Sequence, residues 1–200
     1  MRCKEHRRPP VGVAQSSRIS LKIWSFLTYL PSESPLVWPS CGKIEHAVSV
    51  SSCKMNKTEM EFTGERVVPG KTPQAIYDEH IYRYIFAATL IEGKLVLDVA
   101  CGTGYGVDYM AKQGARKVIG ADISIEATSY AREKFGKGEE TDFVCADGLR
   151  MPFVGDAFDV VVSFETIEHI RQYGKFLAEC RRVLKENGLL VCSTPNRRIF

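Results

Sequence analysis

The chain has 200 residues, enough for one domain with a sizeable core rather than two. Its 44% hydrophobic and 26% charged content is that of an ordinary globular protein, with no run near the roughly 18 apolar residues of a membrane span. The formal charge of +3 is uneven: residues 1–54 hold eight Lys/Arg against three Asp/Glu (+5), and residues 55–200 hold nineteen against twenty-one (−2), so the body lacks the basic field of a nucleic-acid binder.

Residues 1–54 mix Pro, Ser, scattered aromatics and isolated charges without helical or strand periodicity, and are expected to form a disordered or loosely attached extension. Their longest apolar run, Ile19–Leu30, is interrupted by Lys22 and followed by Pro31 and Pro35. Composition changes at Met55, and a translation start there is one explanation. Residues 55–200 read as the globular domain.

From Thr72 the signals are regular. Ile76, Tyr77, Ile81, Tyr84, Ile85, Ala88 and Leu90 recur at helical spacing up to Gly93. Leu95–Val99 is a strand, followed by a helix over Gly104–Gly114 with Val107, Met110 and Ala111 on one face. Strand Lys117–Asp122, helix Ile125–Phe135 (stopped by Gly136) and strand Asp142–Asp147 come next. Phe158–Phe164 is a continuously apolar strand, buried on both faces. Helix Phe176–Lys185 is stopped at Asn187-Gly188, and Gly188–Pro195 is a fifth strand. Strands alternating with helices predict an α/β domain with a parallel sheet and right-handed crossovers.

Seven cysteines, an odd number with no C-x-x-C, support neither a zinc ribbon nor a redox motif. Cys145 and Cys192 lie in apolar runs, where a thiol acts as a small hydrophobe. A reducing cytoplasm is the simplest compartment.

The stretch VLDVACGTGYG, Val96–Gly106, sends a strand into a glycine loop, which lets backbone approach a ligand closely or simply makes a tight turn. The dinucleotide fingerprint G-x-G-x-x-G fails here, because position 107 is Val107. Asp98, Asp122 and Asp147 each close an expected strand at its C-terminal end, the edge where open parallel sheets bind ligands. Each also reads singly as a cap or turn residue. An acid at the second strand end can accept both hydroxyls of a ribose.

In the segment ETIEHI, a helix would set Glu165, Glu168 and His169 on one face, at i, i+3 and i+4. Three readings are open: His169, with Glu165, as general base for an acceptor hydroxyl; a divalent-metal site; or acids at a solvated helix start. Arg181-Arg182 reads as solvated charge.

DVACGTGYG, VIGADIS, FVCADGLRMPF, FDVVVSFETIEHI and FLAECRRVLKENGLLVCSTPN, in this order, resemble the class I S-adenosylmethionine-dependent methyltransferases, especially the group with the ubiquinone-biosynthesis O-methyltransferases. The resemblance covers roughly residues 62–200 and implies a Rossmann-like, three-layer, doubly wound, mainly parallel sheet. It implies that Asp98 and Ala100, Cys101, Gly102 and Gly104 face the methionine part of S-adenosylmethionine. Asp122 would hold the ribose hydroxyls, Ile123 would pack on the adenine, Asp147 and Gly148 would meet the adenine edge, and Phe164 would line the pocket. Similar E-x-x-E-H segments bind metal in small-RNA 2′-O-methyltransferases and some ubiquinone enzymes. Two departures stand out: Ala100 replaces the first glycine of the family loop, and the last two strands, an antiparallel hairpin, have no counterpart before Phe200. The second predicts a truncated chain or an edge covered some other way.

The function expected is methyl transfer from S-adenosylmethionine to a small-molecule, lipid-linked or glycan-precursor acceptor, at oxygen. The alternatives are an RNA 2′-O-methyltransferase with a divalent metal at Glu165, Glu168 and His169, and an inactive cofactor-binding fragment.

Overall fold

The computed structural model describes residues 20–24 and 66–195. In chain order they form strand β1 (Ser20–Trp24), helix α1 (Gln74–Ala88), β2 (Leu95–Val99), α2 (Tyr105–Lys112), β3 (Lys117–Asp122), α3 (Ile125–Phe135) and β4 (Thr141–Cys145). Then follow β5 (Phe158–Phe164), a 3-10 turn (Ile167–His169), α4 (Tyr173–Val183) and β6 (Leu184–Ser193). The strands make one sheet in the order β1-β6-β5-β2-β3-β4, parallel at every pairing. From β2 the chain winds outward through β3 and β4, then returns to the other side of β2 with β5. A crevice opens at such a reversal, outside the C-terminal ends of the strands.

Alternation along the strands divides the core into two layers. Val96, Val118, Val160, Val162 and Val191 face α1, α2 and α3, against Tyr84, Ala87, Val107, Met110 and Ala131. Leu97, Val99, Phe158, Val161 and Leu190 face α4, against Phe176, Cys180 and Val183. All five residues of β2 are buried, as a central strand covered on both faces requires. Helix α3 is capped by Ser124, whose Oγ accepts from the Ala127 N–H at 3.2 Å, with Glu126 in its first turn and Arg132 and Lys134 in its last.

Four local readings change. Strand β4 ends at Cys145, so Asp147 lies two residues beyond it. Helix α4 starts at Tyr173 and passes at Leu184 straight into β6, so Asn187-Gly188 is not its stop. Leu184 pairs with Phe158 and Leu189 with Val160, so the residues between Leu184 and Leu189 bulge from the ladder. Burial of Leu184 and Phe158 decides this, and Lys185, released from the helix, donates to Asp159 at 2.7 Å. Arg182 is no idle surface charge. It pairs with Glu179 and donates to the Met151 and Phe153 carbonyls, pinning the segment after β4 to α4.

The fourth change is β1, where linear reading offered no strand. Its residues Ser20–Trp24 run in parallel beside Leu189–Ser193, on the β6 edge that the resemblance assigns to an antiparallel hairpin. A bare edge is a row of backbone donors and acceptors, and a five-residue stretch with Ile23 and Trp24 suits such a template although it is too short to show a period. Among the described residues no helix is long and apolar enough to cross a membrane.

Candidate cofactor site

A cleft of about 400 Å³ opens at the reversal point. Its floor is the loop after β2, with Ala100, Cys101, Gly102 and Thr103; one wall is α1, with Ile76, His80 and Tyr84; the other is the end of β5 and its 3-10 turn, with Phe164, Glu165, Glu168 and His169. Arg66, Val67, Tyr105 and Pro195 complete it.

The loop is built by backbone chemistry. Ala100, Gly102 and Gly104 all have positive φ, at 65°, 55° and 80°. A Cβ on Gly102 would meet nothing within 4 Å, whereas on Gly104 it would lie 2.6 Å from the Ala131 Cβ. Gly102 therefore faces open space and Gly104 faces the core. Asp122 fixes the turn, one carboxylate oxygen accepting from the Gly102 N–H and the other from the Ser124 N–H, both at 2.9 Å. Thr103 ties the loop to the segment before α1, its hydroxyl donating to the Val67 carbonyl at 2.7 Å.

Asp98 lies under this floor, wholly buried. Its Oδ2 accepts from the Tyr84 hydroxyl at 3.0 Å, and its Oδ1 has no hydrogen-bond partner among the described residues. Burial pushes the carboxyl up to about 7; the Asp122 charge adds to this and the Tyr84 hydrogen bond opposes it. Tyr84 itself is driven well above its ordinary range by burial and by Asp98.

Three of the remaining expected cofactor positions, Ile123, Asp147 and Gly148, fall outside the cleft lining. Ile123 is 71% exposed at the end of β3. Asp147 is exposed, its Oδ1 accepting from the Leu149 N–H at 2.8 Å. Gly148 packs against Phe176 and Val99. These residues stay near Asp122, because the Ala146 N–H donates to the Asp122 carbonyl at 2.9 Å. Phe164 forms the cleft wall, its ring edge-on to Tyr84 at 5.1 Å.

ETIEHI is not an α-helix. Glu165 stands outside the 3-10 turn at φ +48, its Oε1 accepting from the Ser193 hydroxyl at 2.8 Å and lying 3.4 Å from Arg83 Nε. That bonding pulls it towards β6 and α1, away from the single face that i, i+3, i+4 spacing requires. Glu168 and His169 are exposed at the cleft mouth. Among the described residues no three His, Cys, Asp or Glu side chains form a group that could hold a metal ion. Linear reading gave Tyr84 no part in the loop, and no spacing signal could have: it sits fourteen residues before Asp98, on another element. His80, one helical turn before Tyr84, is held below its ordinary value by burial and by Arg83, against Glu165 and Glu79.

Residues 97–192 match the family model described as a methyltransferase domain. The chain belongs to the class I S-adenosylmethionine-dependent methyltransferases. The chain is 34% identical over 142 residues to a Mycolicibacterium smegmatis protein named as an S-adenosylmethionine-dependent methyltransferase, covering 70% of this chain and 54% of that protein. It is 30% identical to a ubiquinone biosynthesis O-methyltransferase of Cereibacter sphaeroides, covering 80% of this chain and 59% of that one. It thus spans little more than half the length of these curated relatives. Among solved structures, a Bacillus halodurans protein named as a methyltransferase aligns with TM-score 0.51 at 26% identity, over 57% of this chain and 50% of that one. The (4+2)-cyclase SpnF aligns with TM-score 0.50 at 26% identity, over 56% of this chain and 42% of its own. Fold likeness alone therefore does not name a reaction.

Proposed function

We propose that this methyltransferase domain, comprising residues 55–200, binds S-adenosylmethionine in the cytoplasm and passes its methyl group to a hydroxyl of a small-molecule, lipid-linked or glycan-precursor acceptor. The observation that carries this is the charge around the glycine loop. Two acids, Asp98 beneath it and Asp122 behind it, face a backbone that is open at Gly102, and among the described residues one buried oxygen of Asp98 lacks a partner. Such a site repels a phosphate and suits a cationic ligand.

The residues fit the cofactor. The orphaned Asp98 Oδ1 matches an ammonium group. Asp122 uses two of the roughly four acceptor positions of a carboxylate, which leaves room for ribose hydroxyls. Ile123 offers an exposed apolar shelf for adenine, with Asp147 and Gly148 at its edge and Phe164 along the wall. The cofactor supplies a methyl carbon on a good leaving group, so the protein's task is alignment of the acceptor. Where the acceptor must lose a proton, His169 at the mouth is the better base of the two expected, since Glu165 is engaged by Ser193 and Arg83. The O-methyltransferase names among the relatives support oxygen as the acceptor atom.

Calorimetry with S-adenosylmethionine and with NAD tests the reading, and binding of NAD alone would overturn it. In Asp122→Ala, loss of hydrogen bonds to a charged acceptor should weaken S-adenosylmethionine binding by roughly 1.5–3 kcal/mol. An unchanged affinity would remove Asp122 from the site.

A further inference from the structure

We infer that Tyr84 is a positioning residue for this site: its hydroxyl fixes the buried Asp98 carboxylate so that the free oxygen is presented to a cationic group of the ligand. The inference rests on the proposed cofactor reading and adds to it a residue from a different element. The geometry that carries it is specific. The Tyr84 ring is only 5% exposed and sits edge-on to both Tyr105, at 5.5 Å and 80°, and Phe164, at 5.1 Å and 76°. A Cβ on Gly106 would fall inside the ring's van der Waals envelope, so the glycine in the first turn of α2 gives the ring its seat. Held on three sides, the ring can direct its hydroxyl only at Asp98 Oδ2, which leaves Oδ1 as the orphaned atom.

The groups facing Asp98 are Tyr84 from α1, Cys101 from the loop, Tyr105 from α2 and Asp122 from the end of β3. None is a cation. Burial and Asp122 both favour the protonated acid, and the Tyr84 hydrogen bond is what favours the carboxylate. A ligand ammonium needs that carboxylate. Removing the hydroxyl while keeping the ring should therefore move the titration of Asp98 upward and make ligand binding recover only at higher pH.

The test is calorimetry of S-adenosylmethionine binding to the full chain, wild type and Tyr84→Phe, from pH 6.5 to pH 8.5. The ratio of the two affinities at each pH cancels titration of the ligand's own amino group. We expect a loss of roughly tenfold at pH 7 that narrows to roughly twofold at pH 8.5. A ratio of one, or a loss constant across pH, overturns the inference while leaving the cofactor reading intact. Failure of the wild type to bind overturns both. A second measurement guards against a folding defect: in an Asp98→Asn background, Tyr84→Phe should change affinity less than twofold at every pH, and a full tenfold loss there would sink the inference.

Discussion

The buried acid under the glycine loop should make the ligand-free protein less stable as pH rises, and Asp98→Asn should abolish the effect. In the folded chain Asp98 keeps its proton up to about 7, whereas an unfolded chain releases it near 3.8. Between those values the folded state binds more protons than the unfolded one, so stability falls with rising pH and levels off above about 7. The window spans about three pH units at about 1.4 kcal/mol each, or about 4 kcal/mol in all. The amide introduced by Asp98→Asn would still accept from Tyr84 but would leave a buried N–H donor without a partner, at a pH-independent cost of about 1–3 kcal/mol. The difference in unfolding free energy between Asp98→Asn and wild type should therefore shift in the variant's favour by about 3 kcal/mol between pH 5 and pH 8. His80, whose depressed titration makes stability rise with pH up to its unfolded value, contributes alike to both proteins and cancels. Urea unfolding at the two pH values, read by circular dichroism, measures this. A difference that stays constant would show that Asp98 is ionised throughout, and would refute the argument from burial.

Two further substitutions probe the loop. Ala100 holds φ at 65°, a left-handed conformation costing an L-residue about 1–2 kcal/mol, so Ala100→Gly should stabilise the fold by roughly 0.5–1 kcal/mol after the added entropy of the unfolded chain. A lowered melting temperature would show that the Ala100 side chain makes a contact that outweighs its strain. Gly106→Ala should cost about 1–3 kcal/mol by overpacking the Tyr84 ring, and almost nothing in a Tyr84→Ala background. Equal cost in both backgrounds would place the demand for glycine elsewhere.

How far the site was legible depended on the range of the interaction concerned. Alternation of apolar runs and helical stripes carries the element order from α1 onward and the parallel sheet, because those signals are local and repeat every 2 or 3.6 residues. The placement of the glycine loop and of the acids at 98 and 122 was legible too, since strand ends in a parallel sheet put them on one edge. Asp147 fell beyond its strand, because β4 pairs only as far as Cys145. The spacing in ETIEHI would put Glu165, Glu168 and His169 on one face only if the segment were helical, and Ser193 and Arg83 capture Glu165 from elements distant in sequence. Asn187-Gly188 read as a helix stop, until pairing of Leu184 with Phe158 ended α4 early.

The sequence by itself determined the α/β class, the order of helices and strands from α1 onward, and a glycine loop that fails the dinucleotide spacing at Val107. Only the tertiary structure decided the surroundings of the acids there. Burial from both faces of the sheet lifts Asp98 towards neutrality, Tyr84 arrives from another helix to hold it, and Gly106 makes room for that ring. Desolvation and close packing are properties of the assembled core, so no local pattern of residues can announce them.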